Sequence, residues 1–141
     1  MRGGKESKRV GGSRFVEDFT NLDVYRRASC VARNIFVLSQ RFPPEENRAL
    51  RDQLLRAARS IGAQIAEAWA KRPYPRHFRA KLTDADAEQR ETRHWLRIGL
   101  ECGYLTPAEA EPLMEELDRI GRMLVTMMKG AEKFRVGRYQ K

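Results

Sequence analysis

Apolar residues recur at alternating spacings of three and four along four stretches of this chain, with short Pro- or Gly-marked breaks between them, and that period belongs to amphipathic helices. The first stripe is Tyr25, Ala28, Ala32, Ile35, Ser39 and Phe42, with Thr20 or Asn21 as the N-cap and Pro43-Pro44 as the stop. A second helix starts near Glu45, carries Leu50, Leu54, Ala57, Ile61, Ile65 and Ala68, and runs to Lys71-Arg72-Pro73. A third begins near Arg76 and buries Phe78, Leu82, Ala85, Gln89, Thr92, Leu96 and Gly99 before a Gly103-Tyr104-Leu105 stop. The fourth has the strongest start signal: Thr106 as N-cap, Pro107 at the first helical position, and Glu109 three residues on to close a capping box.

Two details of this pattern carry physical demands. Gln89 and Thr92 are polar residues on a buried line, so each needs a hydrogen-bond partner or costs ~1–3 kcal/mol. Gly62 sits among Ala57, Ala58, Ala63 and Ala66, and small side chains of this kind let a neighbouring helix approach closely. The fourth helix has a wide apolar arc, with Leu113, Leu117, Ile120, Leu124 and Met127 on one stripe and Ala110, Met114, Gly121, Val125 and Met128 beside it. Leu55, Trp95, Met114, Val125 and Met128 are therefore expected at an oligomer interface; the plainer reading is a more deeply buried helix. The expected fold is all-α, an antiparallel up-down-up-down four-helix bundle over residues 17–130 with disordered basic tails at 1–16 and 131–141.

Charge refines the picture. The formal net charge is +9, and residues 1–16 and 129–141 each hold five Lys/Arg against one Glu. Within the body, Arg48 to Lys81 has nine basic residues against Asp52 and Glu67, whereas Asp84 to Asp118 has three against ten acidic ones. Such segregation serves either attraction between neighbouring helices or an anionic polymer on the basic edge. Arg48, Arg51, Arg56, Arg59, Lys71, Arg72, Arg76 and Arg79 are the residues of that edge, and with the basic tails they are the candidate nucleic-acid contacts.

Candidate catalytic chemistry is sparse. Glu91 and His94 have the Glu-x-x-His spacing of a di-iron bundle ligand pair, but the other histidine, His77, follows Tyr74 at that spacing, so half the cage is missing even if Glu67 and Glu88 contribute. No metal, cofactor or catalytic residue is expected, and the chain is read as a non-enzyme. Glu67 and Glu91 are expected to pair with Arg51 or Arg90 across the bundle, with Glu91 anchored beside Trp95 and Leu96. Cys30 and Cys102 have no partner spacing and are expected to be buried free thiols. With no bilayer-length apolar run and no apolar signal core near the N-terminus, a cytoplasmic location is expected.

The segments Asn21-Leu22-Asp23-Val24-Tyr25, Leu50-Arg51-Asp52-Gln53-Leu54, Gln64-Ile65-Ala66-Glu67, Glu91-Thr92 with Trp95-Leu96, Gly103-Tyr104-Leu105 and Ile120-Gly121-Arg122-Met123-Leu124 occur in an order that resembles a bacterial four-helix-bundle family. That family was first noticed as reading frames in intervening sequences of 23S ribosomal RNA genes, and the resemblance covers about residues 15–134. It implies a small bundle that tends to form homopentameric rings. A related branch is the accessory variability determinant of diversity-generating retroelements, a basic pentamer that partners a reverse transcriptase and RNA. The resemblance supplies no catalytic residues. The chain departs from the family's usual pattern at Gly62, where Pro is frequent, and at Gln64 and Ala68, where Asn and Gly are. Two roles follow as expectations: an oligomeric bundle that binds RNA or an RNA-protein complex, or a protein-interaction module that recruits a partner such as a reverse transcriptase.

Overall fold

The computed structural model describes residues 18–135. Their long elements are α1 (Asp23–Ser39), α2 (Asp52–Ala70), α3 (Pro75–Glu101) and α4 (Pro107–Lys129), followed by a short α5 (Ala131–Arg135). The described residues form no strand, and none of their helices is long and apolar enough to cross a membrane. The tail readings for residues 1–16 and 136–141 fall outside the described residues.

The entry to α1 differs from the sequence reading. Leu22 is the N-cap and provides no side-chain cap; Asp18 instead accepts the Thr20 backbone N–H at 3.4 Å and caps a 3-10 turn at Phe19–Asn21. The buried face is Val24, Ala28, Val31, Ile35 and Ser39. Ala28, Ile35, Ser39 and, beyond the helix, Phe42 are buried as expected, while Val24 and Val31 replace Tyr25 and Ala32; Tyr25 meets the Phe19 ring edge-on at 4.9 Å and the backbone at Gly62, and it and Ala32 are half-buried.

After Pro43 the chain makes a 3-10 turn at Pro44–Glu46 and a π-helical turn at Asn47–Arg51 before α2 begins. The Asp52 N–H reaches Asn47 O, five residues back, a wider winding than the α-helical ladder and typical of a single extra residue accommodated in a helix. All six expected stripe residues of α2 are buried. So are all seven on α3. There Thr92 Oγ1 donates to Glu88 O at 2.8 Å and Gln89 Nε2 to Asp86 Oδ1 at 2.9 Å, while Gln89 Oε1 has no partner.

The α3–α4 reversal follows from its sequence. Gly103 adopts φ +79°, which only glycine takes without cost, and the Tyr104 and Leu105 amides both fold back onto Gly99 O at 2.9 and 3.2 Å. Gly99 leaves room for Leu105, whose Cδ1 lies 2.9 Å from where a Cβ would stand. The capping box forms as expected, with Thr106 Oγ1 accepting from Glu109 N at 3.2 Å and Glu109 Oε1 from Thr106 N at 2.9 Å.

α2 packs on both α1 and α3, and α4 on both α3 and α1, so contacts run around all four long helices. Ile61, Ile65, Phe78, Leu82, Leu96, Leu117, Ile120 and Leu124 are at or near zero exposure, each contributing ~1.5–3 kcal/mol of burial before ordering costs. Residues 131–135, assigned to a tail from the sequence, instead form α5: Ala131 is buried, and the Phe134 ring lies 5.8 Å from Trp69 and 5.3 Å from Phe78. One large apolar residue in an otherwise charged stretch was the signal for this, and periodicity cannot register a single residue.

Candidate nucleic-acid interface

Six of the eight expected basic contacts sit at the surface: Arg48, Arg56, Arg59, Lys71, Arg76 and Arg79 are exposed, and Arg51 and Arg72 half-exposed. The buried stripe of α2 faces α1 and α3, so Arg56 and Arg59 are carried on its outward side, where Ala63 and Ala70 are also exposed. The Arg59 guanidinium stands over the Phe36 ring, 5.4 Å from its centroid. That of Arg72 stands over Trp69 at 4.2 Å and donates to Trp69 O at 2.7 Å.

Carboxylate partners fall elsewhere. α4 is tied to α1 by Arg27–Glu116 at 2.9 Å and to α3 by Arg93–Asp118 at 3.7 Å. Arg41, just beyond α1, clasps Glu109 through both terminal nitrogens, with Nη1 at 2.6 Å. Lys81 of α3 takes Glu67 of α2 at 2.6 Å. Opposite charge thus joins helices, as one reading of the segregation required, and Lys81 is the member of the basic Arg48–Lys81 run that bridges α3 to α2 in this way. Among the described residues Arg48, Arg51, Arg56, Arg59, Arg76 and Arg79 form no ion pair. Glu88 is pushed up by partial burial and by Glu91 and Asp84, and Arg56 offsets this only in part.

The expected acid pairings need correction. Glu67 pairs with Lys81 rather than with Arg51, and Arg90 reaches Asp86 at 3.4 Å. Glu91 is exposed and accepts the Trp95 indole N–H at 3.0 Å, one helical turn along the same surface, so it is no anchor inside the bundle. His94 is also exposed, with its ring edge-on to Trp95 at 4.7 Å. Among the described residues no three His, Cys, Asp or Glu side chains group to hold a metal ion. Cys30 and Cys102 are exposed, not buried: Cys30 falls between the buried Ala28 and Val31 on the outward side of α1, and Cys102 is the C-cap residue of α3.

The expected oligomer residues divide. Leu55 is 8% exposed and belongs to the chain's own core, which leaves little of it for a second subunit. Trp95, Met114 and Met128 are half-buried, and Val125 is 39% exposed. Sequence reasoning missed the most exposed apolar side chains, Val37 at 68%, Tyr74 at 60% and Phe36 at 41%. Their signal was the off-stripe placing of Phe36 and Val37 on α1. Two clefts flank α4: a charged groove of about 330 Å³ against α3, bordered by Asp86, Arg90, Arg93, Asp118 and Arg122, and an apolar one of about 290 Å³ among Leu22, Val24, Met123, Met127 and Phe134.

None of the curated proteins matches the chain. Among solved structures, a protein of unknown function from the S23 ribosomal protein family of Bacteroides thetaiotaomicron is similar, with 28% identity and a TM-score of 0.68 over 75% of this chain and 98% of that one. The family model described as 23S rRNA-intervening sequence protein matches residues 20–126, a span that runs from the turn before α1 almost to the end of α4. The chain belongs to the 23S rRNA-intervening sequence protein family.

Proposed function

We propose that this protein is a non-enzymatic, homo-oligomeric four-helix bundle that binds RNA, or an RNA-protein complex, through the basic edge of α2 and the start of α3 together with the tails. The antiparallel up-down-up-down arrangement is supported by the short connections between α2 and α3 and between α3 and α4, and by the contacts that run around all four helices. One observation carries the RNA reading: Arg48, Arg51, Arg56, Arg59, Arg76 and Arg79 make no ion pair with a described carboxylate, while the arginines around α4 are held by acids. A guanidinium with no carboxylate partner gives up no ion-pair energy when it meets a phosphate, and each such contact releases counterions. The family name points the same way, towards ribosomal RNA genes.

Retention on structured RNA should fall steeply between low and moderate salt, and Arg56→Glu with Arg59→Glu should weaken it while the helical signal is kept. Retention independent of salt, or absent throughout, would falsify the reading. A second reading has its own support. Val125 is exposed beside half-buried Met114 and Met128 on a helix that also presents Glu111 and Glu115 to solvent, a surface suited to a subunit or to a partner protein such as a reverse transcriptase. A pull-down that survives nuclease and is lost in folded Val125→Glu would favour it. For the pentamer that the family resemblance implies, native mass spectrometry is the direct measurement, and a monomer at micromolar concentration would count against it. The reading of the protein as cytoplasmic, with no metal or cofactor, belongs to this same proposal.

A further inference from the structure

We infer that the outer α1/α2 surface around Phe36 is a stacking platform for unpaired bases, so that the RNA bound here is single-stranded at that point. This inference rests on the RNA-binding reading and deepens it. Phe36 is 41% exposed and Val37 68% exposed on a helix whose other large apolar side chains turn inward. An exposed ring costs solubility and adds nothing to the core, so its surroundings are informative.

Those surroundings are cationic. The Arg59 guanidinium covers part of the ring at 5.4 Å from its centroid. Arg33, three residues before Phe36 on the same flank of α1, is exposed and donates to Ser29 Oγ at 3.0 Å. Gln40, four residues after Phe36, is held by a bond from its Nε2 to Phe36 O at 3.2 Å. Neither Arg33 nor Arg59 makes an ion pair among the described residues. An exposed aromatic ring beneath the Arg59 guanidinium, with Arg33 on the same flank of α1, is hostile to a second basic protein surface. It suits a nucleotide, whose base is an uncharged π-face and whose phosphate is an anion. In a duplex the base faces are already stacked on one another and out of reach, so the platform selects single strands, loops or ends.

The inference makes Phe36 a sensor of strandedness that arginines alone cannot be, because phosphate contacts read charge in either form. Affinity for a homopolymeric single-stranded RNA and for a self-complementary duplex of the same length, each measured across a salt series, separates the outcomes. Phe36→Ala should weaken single-strand binding about tenfold and leave duplex binding and the salt slope unchanged. Phe36→Trp should retain single-strand binding, and its added indole fluorescence should be quenched by that strand and not by the duplex. Equal loss on both forms, no loss on either, or an altered oligomeric mass for folded Phe36→Ala would overturn the platform and make the ring a protein contact. If the parent protein binds neither RNA, the RNA-binding reading falls and the platform with it; if the parent binds both and Phe36→Ala is silent, only the platform falls.

Discussion

Two glycines in the helices behave oppositely because of what stands opposite each. A Cβ on Gly62 would lie 3.2 Å from Cε1 of Tyr25, a half-buried side chain that can shift, so the helix-propensity gain of ~1 kcal/mol should prevail and Gly62→Ala should stabilise by ~0.5 kcal/mol or more. A Cβ on Gly121 would lie 2.8 Å from Gln89 Nε2 and 3.2 Å from Asp86 Oδ1, which are bonded to each other at 2.9 Å. Displacing that buried amide costs ~1–3 kcal/mol, which exceeds the propensity gain, so Gly121→Ala should destabilise by ~1–2 kcal/mol. Urea midpoints at constant m-value test the pair, and a shared sign would refute this account. From sequence, Gly62 read as a close approach but Gly121 only as part of an apolar arc. The difference is the contact with Gln89 on a helix distant in sequence, which no local pattern encodes.

Among the elements, the start of α4 joins a cap to an ion pair. Arg41 first, then the Thr106 backbone N–H, hold the Glu109 carboxyl down to about 2. The folded value lies below the unfolded one of about 4.3, so the stabilisation is complete above that pH and is lost as pH falls through about 2. Glu109→Gln should therefore flatten this part of the acid limb in a stability-against-pH series. Loss of the cap is a separate effect: Thr106→Ala should cost ~1 kcal/mol at neutral pH. The Tyr104 hydroxyl donates to Glu46 at 2.8 Å and is pushed up to about 12, chiefly by that bond. It should thus resist ionisation in an alkaline absorbance titration beyond the ordinary phenol range of about 10. α5 has a measurable role as well, since Phe134→Ala should lower stability by ~1–2 kcal/mol for a half-buried ring. Three of the four buried stripes were legible because helix period and burial coincide along α2, α3 and α4. On α1, Ala28, Ile35, Ser39 and Phe42 are buried as read, but Val24 and Val31 take the places expected of Tyr25 and Ala32, with Tyr25 committed to Phe19 and Gly62.

Across the whole molecule, charge is divided between cohesion and display. Interhelical ion pairs collect around α4, and unpaired arginines lie on α2 and the start of α3. The pairs are mostly solvent-accessible, so salt should shift the urea midpoint only slightly, whereas RNA retention should drop by orders of magnitude over the same range. Parallel denaturation and binding series would show the two responses separating, and a joint collapse would mean that the basic edge is needed for folding. The basic run itself was legible by counting. That Arg48, Arg51, Arg56, Arg59, Arg76 and Arg79 make no ion pair among the described residues was not, because pairing depends on which helices become neighbours, and the acids of α4 face Arg27, Arg41 and Arg93. The π-helical turn at Asn47–Arg51 bears on how such an edge is aimed. One residue turns an α-helix by about 100°, so removing Ala49 would restore the ordinary ladder and swing Arg48 about a quarter-turn relative to Arg56 and Arg59. A single-codon deletion could thus change which cations point together while leaving the buried stripe of α2 in place, so this turn can re-aim the surface without redesigning the core.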